Sequence, residues 1–188
     1  MRRLISLLGA LSLAACAGAP TVPSDNVPMF APGHVLALPS PGDLGRSVEW
    51  LQQITVHRGA EVFAFEGRIS VTADRFQLLG LDGLGRRAMT VTWDKSGAVT
   101  ATRADWLPPQ VKPGPMLADI VLLYWPRDVL RHALKPAGAT LQEVGGTRVV
   151  HIGADEVLRI EDLGQGHVRY RNDAWGYTID VQTVEVAP

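Results

Sequence analysis

A single cysteine, Cys16, excludes both an intramolecular disulfide and a multi-thiolate zinc site within this chain. Positive charge is not in excess either: 18 Lys and Arg stand against 19 Asp and Glu, for a formal charge of −1. Nothing in that balance holds a phosphate backbone, so nucleic acid is not an expected partner. The apolar run Leu4 to Leu13 is about ten residues, half of the ~20 that a membrane-spanning helix needs. Aromatic residues make up only 6%, whereas Gly numbers 19 and Pro 13, a turn-rich composition that favours β-structure over a helical bundle. What is present, 188 residues with 46% hydrophobic and 20% charged, fits one globular domain.

The usual catalytic and metal-binding patterns are also missing. His34, His57, His132, His151 and His167 are dispersed singly, with no His-x-His or His-Glu-x-x-His spacing. No metal and no cofactor is therefore expected. There is no Gly-x-Ser-x-Gly elbow to present a nucleophile. Gly80 to Gly85 is glycine-rich, but it joins two predicted strands and opens no helix that would receive a phosphate, so it reads as a hairpin loop. Adjacent acids such as Asp155 and Glu156 point to opposite faces of a strand and make no local carboxylate pair.

The N-terminus carries a localisation signal. Met1-Arg2-Arg3 is positive, the apolar run follows, and Leu13-Ala14-Ala15-Cys16 places two small residues before the cysteine. This pattern resembles a bacterial lipobox: residues 1–15 are the expected signal peptide and Cys16 the expected lipidation site. Several acyl chains on one residue anchor a protein stably, at ~0.8 kcal/mol per buried methylene. Ala17 stands where inner-membrane lipoproteins of the well-studied type carry Asp, so the resemblance implies the outer membrane, facing the periplasm. Residues 16–42 then hold Pro20, Pro23, Pro28, Pro32, Pro39 and Pro41, and read as a tether.

From Trp50 the pattern becomes short alternating runs. Phe63, Phe65, Ile69 and Val71 share one strand face, with Gly67 as a bulge or close-approach point. Phe76 to Leu81, Arg87 to Asp94 and Ala98 to Arg103 continue a meander, with Met89, Val91 and Trp93 on one face. The period then turns helical: Met116, Leu117, Ile120, Val121, Leu123 and Tyr124 recur after Pro113 and Pro115, and a second helix is expected from Pro126 to Leu134. Strands resume at Thr140 to Val144, Thr147 to Ile152, Val157 to Glu161, Val168 to Arg171 and Tyr177 to Val184. The sum is about ten strands interrupted by a helical pair, in a domain over residues 43–188.

That order, with the stretches Asp74 to Arg87, Trp125-Pro126 to Leu134 and Tyr177 to Val186, resembles the LolB-type outer-membrane lipoprotein receptors and a related family of uncharacterised bacterial lipoproteins. The resemblance implies a mainly β fold, a half-open antiparallel barrel plugged by helices. Its apolar interior would accept acyl chains of lipoproteins or another lipid cargo, without catalysis, and a periplasmic LolA-like carrier would be a partner. Three chains of ~15 methylenes cost on the order of 35 kcal/mol to move through water at ~0.8 per methylene, which is why transit needs a sheltered cavity. The nominated cavity residues are Phe63, Phe65, Met89, Val91, Trp93, Ile120, Leu123 and Tyr124. In such receptors a loop leucine before a glycine protrudes and assists delivery into the bilayer, and Leu84 in Asp82-Gly83-Leu84-Gly85 matches it. Gly83 replaces the usual Pro there, which predicts a more flexible loop.

Alternatives remain at this level. Leu84 either protrudes or folds back on the sheet, and the interior is either hollow or a filled core. The related uncharacterised proteins are similar to products encoded beside polyene-pigment and fatty-acid-like biosynthesis genes, so the cargo is open. A different class of function is an assembly module that binds a protein partner through Trp106 or Trp175. An enzyme on lipid or glycan requires a polar cluster inside the cavity.

Overall fold

The computed structural model describes residues 24–186; Cys16 and the expected signal peptide lie outside the described residues. The main sheet consists of ten antiparallel strands: β3 (Val48–Arg58), β4 (Glu61–Val71), β5 (Arg75–Asp82), β6 (Arg87–Asp94), β7 (Val99–Arg103), β8 (Ala139–Val144), β9 (Thr147–Ile152), β10 (Asp155–Gly164), β11 (His167–Asn172) and β12 (Tyr177–Glu185). Their spatial order is β7-β6-β5-β4-β3-β12-β11-β10-β9-β8. Strands β3 to β7 and β8 to β12 each run as a meander of neighbours, and the two meanders join where the last strand returns to pair with the first, Thr178 opposite His57 through to Glu185 opposite Trp50. The edge strands β7 and β8 do not pair, so the sheet curls without closing. This is the half-open barrel with a helical insertion.

Alternation sets the faces. In β4 the even-numbered Glu66 and Arg68 are exposed, while Ile69 and Val71 are buried and Phe63 and Phe65 are half-buried. Gly67 pairs with Gln52 in unbroken register, so it makes no bulge. It is a close-approach point: a Cβ there would lie 3.1 Å from Ile54 Cδ1.

The gap between the sheet edges is filled from inside by two helices, α1 (Pro113–Tyr124) and α2 (Arg127–Leu134). Pro113 and Pro115 suit the first turn of α1, where no backbone N–H partner is lost. Leu117, Ala118, Ile120, Val121 and Leu122 are all buried, as befits a helix enclosed on every side. Its last carbonyls are capped from β9: the Arg148 guanidinium donates to Leu122 O, Leu123 O and Trp125 O at 3.1, 3.0 and 3.1 Å. α2 is amphipathic, with Leu130, Ala133 and Leu134 inward and Arg127, Asp128 and Arg131 outward.

The expected tether needs correction from residue 24 onwards. Ser24–Asn26 forms a short 3-10 turn, and β1 (Met29–Ala31) pairs with β2 (His34–Val35). Phe30, Ala31 and Leu36 are as buried as any core residue. Asn172 donates to Phe30 O at 3.0 Å, and Ala37 N donates to Ala133 O at 3.1 Å. Prolines excluded long helices and strands here, as expected, but did not prevent an irregular strap from burying its few large apolar side chains.

Candidate functional site

Two halves of the interior differ. At the end where β3 begins and β4 finishes, Phe76, Trp93 and Trp125 pack ring to ring, with centroids 5.4–6.4 Å apart, and the core is filled. At the other end, near the β3–β4 and β5–β6 turns, a cavity of about 180 Å³ remains. Its walls are Ile54, Val56, Phe63 and Phe65 from the sheet, Met116, Ile120 and Leu123 from α1, and Leu107 and Val111 from the segment before α1. Strand residues 54, 56, 63 and 65 stay half-buried because α1 covers the sheet only beyond them.

Of the nominated cavity residues, Phe63, Phe65, Met89, Ile120 and Leu123 line this space. Val91 and Trp93 do not: they lie deeper along β6, at 0% and 1% exposure, and Trp93 is itself part of the aromatic cluster. Tyr124 also points elsewhere, into a more polar depression at the opposite end that it shares with Trp50, Arg148 and Glu185. Its hydroxyl accepts from Gln52 Nε2 at 2.7 Å and lies 2.9 Å from Thr183 Oγ1. Positions 120 and 124 share a face of α1, but 124 lies a full turn further along the axis, past the end of the cavity, which apolar spacing alone does not reveal.

Leu84 is 81% exposed and does not fold back. Its loop is also better fixed than Gly83 suggested. Asp82 accepts from Leu84 N at 3.0 Å, from Arg86 N at 2.8 Å and from Arg86 Nε at 2.8 Å, an Asx-type turn that does locally what a proline does by ring closure. Arg86 then lies 4.9 Å over the ring of Trp106, which is 46% exposed. Trp175, by contrast, is tucked into the β11–β12 turn, its backbone N–H donating to Asn172 Oδ1 at 3.0 Å.

A polar cluster not anticipated from the sequence borders the cavity. Asp119, on α1 and only 6% exposed, accepts from the hydroxyls of Tyr170 and of Tyr177, the latter at 2.6 Å. Asn172 Nδ2 donates back to Tyr170 Oη at 3.3 Å and to Tyr177 Oη at 3.5 Å. Burial pushes the Asp119 carboxyl up to about 7, against the two tyrosine hydrogen bonds that pull it down. Both tyrosines are in turn held well above their ordinary range, by burial first and by the neighbouring Asp119 charge second. Asp119 and Tyr177 both form part of the cavity wall. The sequence did carry one sign of this: Asp119 is the only charged residue between Pro113 and Trp125.

The family model described as "Protein of unknown function (DUF3261)" matches residues 49–185. The chain belongs to the DUF3261 family. That match spans the ten-stranded sheet from the second residue of β3 onwards and both helices, and leaves the strap outside it. No curated protein matches the chain. Among solved structures, a DUF1329 family protein from Desulfovibrio piger is similar over 77% of this DUF3261 chain and 87% of its own, at 8% identity and a TM-score of 0.39.

Proposed function

We propose that this DUF3261 protein is a lipid-anchored lipoprotein of the outer membrane, facing the periplasm, that shelters an acyl chain in its cavity during lipoprotein or lipid transfer. The reading includes no covalent step. The observation that carries it is the unfilled apolar space between Phe63, Phe65 and α1, on a sheet whose other half is packed solid. Apolar side chains left half-exposed around a hollow are costly unless something apolar occupies it, at roughly 25 cal/mol per Å². Leu84 and Trp106 project at the same end of the sheet as the cavity, which suits a mouth that meets a bilayer. LolB-like receptor activity with a LolA-like donor is the specific form of this proposal.

Size limits the cargo. About 180 Å³ is little more than the ~150 Å³ apolar cavity that holds one benzene. One chain end fits; the three chains of a mature lipoprotein require α1 and residues 104–112 to move outward.

The test is titration of the soluble domain with a fluorescent fatty acid. Saturable binding is expected, and Phe65→Asp, which places a charge in the wall, is expected to weaken it about tenfold or more. Absence of binding to the unmodified domain refutes the reading. In that event the partner-binding alternative, resting on exposed Trp106 beside Leu84, becomes the stronger one.

A further inference from the structure

The wall of an acyl-chain cavity needs no carboxyl group, yet this one has Asp119. Its surroundings constrain what it can do. Both tyrosine hydroxyls donate to Asp119, and Asn172 Nδ2 lies 3.3 and 3.5 Å from their oxygens, sharing one N–H between them while its other N–H goes to Phe30 O. Asn172 itself is held by Phe30 O, to which it donates, and by the Trp175 N–H, which it accepts. The chain of donors therefore runs one way, from amide through hydroxyls to carboxyl, and is fixed at its far end.

Among the described residues no cation pairs with the carboxyl. The titratable groups that reach it are Tyr170 from β11 and Tyr177 from β12; on its own helix its neighbours Ala118 and Ile120 are apolar. The other charged residues of the cavity lining, Arg58, Glu61, Glu66 and Lys112, make no hydrogen bond or ion pair with it, and Lys112 is paired with Asp25 at 3.0 Å. A carboxylate has about four lone-pair sites and the tyrosines use two, so acceptor capacity remains. Each oxygen already has one tyrosine donor and keeps a second lone pair, and because Asp119 lines the cavity a molecule held there can supply the further donor.

We infer that the cavity selects a single-chain amphiphile bearing a neutral hydroxyl, which donates to Asp119 beside Tyr177 while its hydrocarbon lies against Phe63, Phe65 and Ile120. This rests on the acyl-chain reading above and narrows it to a substrate class. A hydroxyl suits the site in either protonation state, because it donates to the carboxylate and accepts from the acid. An ammonium would have to be desolvated in an apolar wall, and a plain alkyl end would add no donor to the carboxyl's remaining lone pairs.

The test compares 1-decanol, decyl methyl ether and decane, which share a chain and differ in the donor, by displacement of a bound fluorescent probe from the soluble domain. At pH 8.5, where Asp119 is ionised, only the alcohol can donate, and it is expected to bind about tenfold tighter than the ether. At pH 5.5 the acid donates to either oxygen, and the preference is expected to shrink to less than about threefold. Asp119→Asn, which keeps the shape and removes the ionisation, is expected to give one alcohol-to-ether ratio at both pH values. Equal affinity of alcohol and ether for the unmodified protein at pH 8.5 overturns the hydroxyl assignment but leaves the acyl-chain reading standing. Failure of all three probes to bind overturns both.

Discussion

Asp119 carries its own stability signature, independent of any ligand. Its carboxyl sits at about 7 in the fold against an ordinary value of 3.8, so the folded state holds the proton more tightly than the unfolded chain does. The resulting stabilisation is complete below about pH 4, is lost as pH rises towards 7, and changes no further above that. Between pH 5 and pH 8 the loss is about 3 kcal/mol, from ~1.4 kcal/mol per pH unit over the part of that interval below 7. Asp119→Asn does not titrate, so its denaturation midpoint relative to the unmodified protein is expected to improve from pH 5 to pH 8. A mutant-minus-parent difference that stays constant across that range contradicts the buried, raised carboxyl. The same residue shows where sequence reading stopped. A lone acid in an apolar helix is visible as a discrepancy, but its partners come from β11 and β12, more than fifty positions away. Only the pairing of β11 with β12 and their packing on α1 bring them together.

Elements were far more legible than that cluster. Period-two alternation marked β4, β5 and β6 because each has one face in the core and one in water, and the helical period marked α1 and α2 between proline boundaries. The strap was illegible for the complementary reason: Phe30 and Leu36 are buried singly, in a stretch without any period. What seats the strap is a glycine. A Cβ on Gly114 would lie 2.1 Å from Val27 O and 2.6 Å from Asn26 C, so α1 and the strap touch backbone to backbone. Gly114→Ala is expected to destabilise the domain by about 2–3 kcal/mol, with separation of strap from helix. Gly83→Ala, where nothing lies within 4 Å, serves as the control and is expected to change stability by less than about 0.5 kcal/mol. Chemical denaturation of both variants checks the pair.

At the scale of the whole molecule, the half-open sheet, the hollow and the strap share one geometry. The 3-10 turn at Ser24–Asn26 packs against α1 and β7, and Asp25 bonds Lys112 at the cavity wall, so Ser24 lies near the mouth. From Cys16 to Ser24 there are eight residues, a span of at most about 29 Å at ~3.6 Å per residue. Inserting about thirty Gly and Ser residues after Ala17 is expected to leave probe binding unchanged. It is expected to slow probe transfer from vesicle-anchored protein into its own bilayer about tenfold, as the mouth's local concentration at the surface falls with the −3/2 power of tether length. Unchanged transfer would show that proximity plays no part.

Because the strap is stitched into the barrel beside the entrance, a lipid on Cys16, as proposed, and a chain in the hollow would be held over the same patch of bilayer, and a released chain would have only a short way to fall.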